Sequence, residues 1–220
     1  MEKQYVVIGL GRFGSSIAKT LYEMGKNVLA IDEDYEKVSA MMDFSTHCVQ
    51  ADASDPEVLK SLGLRNYDVA VIAIGNDIES NVMTTMLVKD LGIKYIVAKA
   101  INDVHGKILQ RIGADRVVFP ERSMGVRVAH NLVYSNILDA IDISPEYSIM
   151  EVAASEPLIG KTLGDLNLRA KHKVNIIAIK KGDDKSNIIL SPGADSVIHE
   201  GDLLIAIGKE SSLKGFNGDV

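Results

Sequence analysis

Residues 5–14 read Tyr5-Val6-Val7-Ile8-Gly9-Leu10-Gly11-Arg12-Phe13-Gly14. An apolar run ends in a G-x-G-x-x-G that opens a helical pattern of Phe13, Ile17, Leu21 and Met24. In a strand–loop–helix each glycine has a task. Gly9 permits the tight turn, Gly11 lets a phosphate approach the backbone, and Gly14 lets the helix pack on the strand. The helix N-terminus offers free N–H groups and a positive dipole end to an anion. Asp32 ends the second apolar run, 18 residues beyond Gly14, where an acid receives ribose hydroxyls and disfavours a 2′-phosphate. Arg12 opposes the helix dipole, at a cost of a few tenths of a kcal/mol or more, unless an anion sits there. Otherwise it swings to solvent or pairs with a carboxylate.

Outward from this loop the pattern repeats. Val28–Ile31, Thr46–Gln50, Val69–Ile74, Tyr95–Ala98 and Arg116–Phe119 are short runs rich in Val and Ile, as parallel strands covered on both faces require. Between them, Ile78, Val82 and Met86, and then Val104, Ile108 and Ile112, fall at helical spacing. Gly25, Gly63, Gly92 and Gly113 each follow a helical stretch and precede a strand. Six strands alternating with helices predict a doubly wound parallel sheet of α/β class. After Phe119 the pattern changes. Ser123–Ile141 reads as one long helix with Val126, Ala129, Val133 and Ile137 along a face, and Ser144-Pro145 marks a boundary. Residues 148–154 alternate like a strand, and Leu158–Lys171 reads as a turn and short helix. Val174–Lys180, Asn187–Leu190 and Leu203–Ile207 read as strands, with turns at Gly182-Asp183 and Pro192-Gly193. The last ~80 residues form a small α+β domain, and Lys209–Val220 is expected to fray.

Composition bounds the function. The 220 residues are 46% hydrophobic and 25% charged, with a net charge of −6, which excludes wholesale disorder and argues against a nucleic-acid binder. Residues 1–140 hold 15 basic and 18 acidic side chains and residues 141–220 hold 9 and 12, so each part carries a net −3. No basic patch for lipid headgroups results. The single cysteine, Cys48, excludes an internal disulfide framework and suits a cytoplasmic protein; it reads as a small buried hydrophobe. No apolar run approaches the ~18 residues of a membrane span, and no charged, apolar leader precedes the first strand, so no direct membrane insertion is expected.

Further polar groups fall at the carboxyl ends of strands, the ligand edge of such sheets. Asp52 and Ala53 follow strand three, Gly75 and Asn76 strand four, Lys99 ends strand five and Glu121 follows strand six. Asp52 reads equally as a base or ribose contact and as part of a helix cap. Glu121 reads as a first-turn acid or as a ligand for a hard divalent cation beside phosphates. Catalytic apparatus is missing. His47, His105, His130, His172 and His199 lack metal-ligand spacing, with His130 read as a packing or surface residue, and no G-x-x-x-x-G-K-[ST] occurs. A nucleotide site without such groups points to a sensor working by differential binding. A small NAD-dependent oxidoreductase and a bare interaction module with a vestigial site are the alternatives.

Several stretches together resemble one family. They are Val7-Ile8-Gly9-Leu10-Gly11-Arg12-Phe13-Gly14, Gly63-Leu64-Arg65-Asn66-Tyr67-Asp68, Val71-Ile72-Ala73-Ile74-Gly75, Ile112-Gly113-Ala114-Asp115-Arg116-Val117 and Pro120-Glu121-Arg122. The chain resembles, over its whole length, the regulatory subunits of Ktr/Trk-type potassium uptake systems, built from RCK (KTN) domains. The resemblance implies a Rossmann-like nucleotide-binding domain with a crossover helix over residues 1–134 and a regulatory α+β RCK domain over 135–220. It implies ATP or ADP, alternatively NAD or NADH, with ATP favouring the active form. It implies dimers that pair through the crossover helix and assemble into an octameric ring on a membrane potassium transporter. Gly9, Leu10, Gly11, Arg12, Phe13 and Gly14 match its phosphate loop, Asp32 its ribose acid, and Arg12 an arginine reaching the γ-phosphate across the dimer. Glu121 matches a ligand of Mg²⁺ or Ca²⁺, and Asp52 and Lys99 match base-side and phosphate-side positions. The C-terminal domain resembles one that binds cyclic di-AMP, with Leu158, Ile159, Arg169, Asn175, Ile176, Ile177 and Pro192 at the matching positions.

Overall fold

The apolar runs form a parallel sheet. The computed structural model describes residues 2–133, 137–144, 146–182 and 186–215. Its first six strands are β1 (Gln4–Ile8), β2 (Asn27–Asp32), β3 (His47–Gln50), β4 (Val69–Ile72), β5 (Tyr95–Lys99) and β6 (Arg116–Val118). They are hydrogen-bonded in the order β3-β2-β1-β4-β5-β6, every pair parallel. Alternate residues feed two cores. Val6, Ile8, Leu29, Ile31 and Ile72 pack on one face, and Val7, Val28, Ala30 and Val71 on the other. The order reverses between β1 and β4, the point at which such sheets open a crevice at their carboxyl edge.

The connecting helices are α1 (Arg12–Glu23), α2 (Tyr35–Ala40), α3 (Pro56–Ser61), α4 (Ile78–Asp90), α5 (Asp103–Arg111) and α6 (Pro120–Val133). Asp34, Asp55, Asp77 and Asn102 cap α2 to α5 through their side chains, whereas α1 begins at Gly11 with no side-chain cap. The glycines at 25, 63, 92 and 113 all have φ between +68 and +114, as their place after a helix predicts.

Two helices keep the expected helical spacing but bury polar side chains beside part of their apolar stripes. In α4 the buried residues are Asn81, Thr84, Thr85 and Val88, while Ile78 and Met86 are exposed. In α5 His105, Gly106 and Leu109 are buried, and Val104 is 69% and Ile108 40% exposed. Val82 and Ile112 of the same stripes pack partly on the core, beside inward polar side chains that serve the sheet: Asn81 Nδ2 donates to Ile74 O and Lys99 O, and Thr84 Oγ1 to Ala53 O.

The expected helix 123–141 is also corrected. α6 is described over Pro120–Val133, residues 134–136 lie outside the described residues, and β7 (Ile137–Asp142) is a strand paired with β8 (Tyr147–Ala153), with a register shift between Ile137 and Asp139. After β8 come α7 (Leu163–Leu166), α8 (Leu168–His172), β9 (Asn175–Lys180), β10 (Ile188–Leu190), β11 (Leu203–Lys209) and α9 (Glu210–Gly215). The five strands form an antiparallel sheet in the order β10-β9-β11-β8-β7 over a core of Met150, Val152, Leu166, Ile179 and Leu204. The segment expected to fray is helical through Gly215, because Leu213 is buried in that core. Asp202, buried beneath the sheet, accepts from Lys181 Nζ (2.7 Å), His199 N (2.9 Å) and Gly182 N (3.2 Å). Pro145, Asp183, residues 216–220 and the His130 side chain lie outside the described residues. The chain divides into two compact units, Met1–Glu121 and Arg122–Val220.

Candidate nucleotide site

A cavity of about 600 Å³ opens at the carboxyl edge of the parallel sheet, within the size range of nucleotide and cofactor pockets. Its wall includes Gly9, Gly11, Arg12, Phe13, Asp32, Asp52, Ala53, Gly75, Lys99 and Glu121, so ten of the twelve residues expected from the sequence converge. Leu10 is buried behind the loop, and Gly14 lies beneath it.

The three loop glycines differ in what constrains them. Gly9 has φ +92, and a β-carbon there would lie 2.8 Å from Ile74 N. A β-carbon on Gly14 would lie 1.8 Å from Gly9 O and 3.0 Å from Ala73 Cβ. Gly11 has φ −66, which any residue adopts, and a β-carbon there would meet nothing within 4 Å. Nothing in the chain itself calls for glycine at position 11. The space above it faces the cavity.

The donors around that space are unspent. The first bond of α1 is Ser15 N to Gly11 O (2.9 Å), so the N–H groups of Arg12, Phe13 and Gly14 precede the intrahelical ladder. No acid stands in the first turn of α1, and among the described residues Arg12 has no carboxylate partner. Backbone donors, a helix dipole and a guanidinium therefore converge on one empty volume, an arrangement suited to a phosphate chain.

Asp32 is buried and organises the opposite wall. Its Oδ2 accepts from Leu10 N (2.6 Å), and its Oδ1 from Asp34 N (2.9 Å) and Lys37 Nζ (3.2 Å). Burial pulls the Lys37 ammonium down, but the bonds and charges of Asp32 and Asp34 outweigh it and hold its pKa above the usual lysine value. Asp52 caps no helix; Asp55 does that. Asp52 Oδ1 instead accepts from Ser54 N (2.8 Å) and Ser54 Oγ (2.6 Å), which holds its carboxyl below the usual range.

At the far end, Lys99 Nζ donates to Glu121 Oε1 (2.5 Å), and that bond holds the Glu121 carboxyl below its ordinary value. Lys99 is largely buried and Glu121 is exposed. No group of three or more metal-ligating side chains occurs among the described residues. Sequence reasoning missed two residues. Lys37 stands in α2, five residues beyond the acid, a spacing that could have been noticed. Asn81, wholly buried, ties the ends of β4 and β5 together, and no sequence signal marks it.

The C-terminal candidates are more dispersed. Arg169 on α8 and Asn175 at the start of β9 are exposed; Ile159, Ile176, Ile177 and Pro192 are half-buried. Ser191 N donates to Ile177 O (2.9 Å), which lays Pro192 beside β9. Leu158 is corrected: it is wholly buried in the C-terminal core, and its side chain offers no surface to a ligand. Cys48 is half-buried, with Sγ 2.7 Å from Ser45 Oγ.

Comparison with known proteins finds a family for each part of the chain. The TrkA-N domain family matches residues 5–120 and the TrkA-C domain family residues 147–217. The chain is 47% identical over 216 residues to Ktr system potassium uptake protein C of Bacillus subtilis, covering 98% of this chain and 96% of that protein. It is 46% identical over 218 residues to Ktr system potassium uptake protein A of the same organism, covering 99% and 97%. Among solved structures, the GsuK channel bound to NAD superposes with a TM-score of 0.63 at 19% identity, over 97% of this chain and 38% of the longer one.

Proposed function

Since the chain belongs to the Ktr/Trk family of potassium-uptake regulatory proteins, which join a TrkA-N to a TrkA-C domain, we propose that it is a nucleotide-sensing subunit. It gates a membrane potassium transporter from the cytoplasmic side. The observation that carries this reading is the open volume above Gly11, ringed by uncommitted donors of the α1 N-terminus and by Arg12. The residues act by binding. Arg12 and the loop N–H groups hold phosphates, Asp32 a ribose, Asp52 and Ala53 the base side, and Gly75 and Lys99 the phosphate side.

ATP and ADP differ in the anionic charge presented to Arg12 and Lys99, and differential affinity for two conformations converts that difference into gating. Lys99 exchanges its Glu121 partner for phosphate, which frees the carboxylate for Mg²⁺ or Ca²⁺. The cation, when bound, neutralises phosphate charge. Beyond Glu121 it completes its shell from phosphate oxygens, water or a second subunit.

Self-assembly into dimers and an octameric ring is supported by the exposed Ile78 and Met86 of α4 and Val104 and Ile108 of α5. Met124, Val126, Val128 and Leu132 on α6 are likewise exposed. The C-terminal unit takes cyclic di-AMP through Arg169 and Asn175, with Ile159, Ile176, Ile177 and Pro192 as apolar walls. Domain roles follow the 1–134 and 135–220 division.

Calorimetry of the purified protein with ATP, ADP, NAD and NADH tests the proposal. At least one is expected to bind below millimolar concentration. If none does, the nucleotide-sensing reading is wrong.

A further inference from the structure

Asp32 is too heavily committed to read a ribose by itself. A carboxylate has about four lone-pair sites, and three of those on Asp32 are taken, by Leu10 N, Asp34 N and Lys37 Nζ. One site remains for a vicinal diol that presents two hydroxyls. The second hydroxyl needs another partner at the same wall. Lys37 lines the cavity next to Asp32, and its three N–H donors are only partly used, on Asp32 Oδ1 at 3.2 Å and Asp34 Oδ2 at 3.6 Å. The Asp34 cap sets the start of α2, and the helix carries Lys37 within reach of both acids.

We propose that Lys37 is a ribose-reading residue, donating to one hydroxyl of the nucleotide while Asp32 accepts from the other. The inference rests on the nucleotide-binding reading above and names a specificity determinant within it. A donor–acceptor pair matched to a diol discriminates at both hydroxyls, because removing either one loses a charge-assisted bond of its own. Lys37 also keeps Asp32 from repelling the phosphates, so it couples the ribose wall to the anionic end of the same ligand.

The test is calorimetry on the full chain, wild type and Lys37→Met. It uses whichever of ATP, ADP and NAD the wild type binds best, together with the 2′-deoxyadenosine and 3′-deoxyadenosine forms of that nucleotide. Lys37 is partly exposed on a short surface helix, and an unliganded melting curve checks that the variant is folded. The wild type is expected to bind each deoxy form roughly tenfold or more weakly than the parent nucleotide. Lys37→Met is expected to lose roughly tenfold or more for the parent nucleotide. It is also expected to lose its discrimination against one deoxy form while keeping it against the other. A structural role for Lys37 would weaken all three ligands equally. Equal loss for all three, unchanged affinity in Lys37→Met, or equal wild-type binding of ribo and deoxy forms each overturns the inference. Failure of the wild type to bind any of the three parent nucleotides overturns the nucleotide reading instead.

Discussion

Replacing Gly11 and Gly14 in turn by alanine separates the loop's two duties. At Gly14 the new methyl would sit 1.8 Å from Gly9 O, where carbon and oxygen ordinarily stay beyond about 3.2 Å. The obstacle is backbone on one side and Ala73 Cβ on the other, so α1 has to move off β1 by more than an ångström. Overpacking of this kind costs about 1–3 kcal/mol or more, or roughly 3–10 °C in melting temperature for a unit of this size. At Gly11 two small terms oppose each other. A compatible Gly→Ala change gains about 0.4–1 kcal/mol through the unfolded chain, and alanine is the poorer N-cap by up to about 1 kcal/mol. With φ −66 and nothing within 4 Å, they nearly cancel, and the unliganded melting temperature should shift by no more than about 3 °C. Nucleotide response should separate the pair the other way. A ligand at 100 times its dissociation constant stabilises the wild type by about 2.7 kcal/mol. Gly11→Ala fills the volume where phosphate approaches and should lose most of that gain. Melting curves with and without nucleotide read both effects. A Gly11→Ala protein that responds to nucleotide like the wild type would refute the assignment of that space to phosphate.

Three further outcomes follow from named contacts. Arg12→Ala should narrow the ATP-versus-ADP affinity difference and raise unliganded stability by a few tenths of a kcal/mol, by removing a cation from a helix N-terminus; calorimetry and melting curves check both parts. Lys181→Met leaves Asp202 buried without its ammonium partner and should cost roughly 3–5 kcal/mol in chemical denaturation. Burial raises the Asp202 pKa, but the bonds from Lys181, His199 N and Gly182 N outweigh it and leave it depressed. Its contribution should therefore be complete above the unfolded value near pH 4 and fall away as pH drops through the lower folded value, which a pH series of the same denaturation curves reads. Leu213→Ala should destabilise the C-terminal unit by roughly 2–5 kcal/mol in the same assay, because the leucine is buried in that unit's core.

The strand runs, the glycines that follow helices and the phosphate loop were legible because each couples residue type to a local backbone need. Ten loop and strand-end residues converge on the cavity because parallel topology puts every strand's carboxyl end on one edge. The faces of α4 and α5 were legible only in part. Periodicity finds an apolar stripe but does not say whether it meets the sheet or an outside partner, and here Asn81, Thr84, Thr85 and His105 face inward. Ile137 and Ile141 fit a helical face and an alternating strand equally well, and only pairing with Val152 and Ile149 decides between them. Lys37 escaped notice because its role depends on how many bonds Asp32 already makes, a count that only folded geometry supplies.

The bond from Leu10 N to Asp32 and the bond from Gly9 N to Ile31 O hold the loop in shape from within the chain. Capture of a ligand there requires no loop ordering, so the entropy of arranging it is spent at folding and not at each encounter. The capture step should then show an observed rate that rises linearly with ligand concentration, with any slower phase belonging to the conformational switch that follows. A loop built this way exchanges its occupant as fast as the dissociation rate allows, so occupancy follows changes in the surrounding nucleotide pool without a lag from refolding.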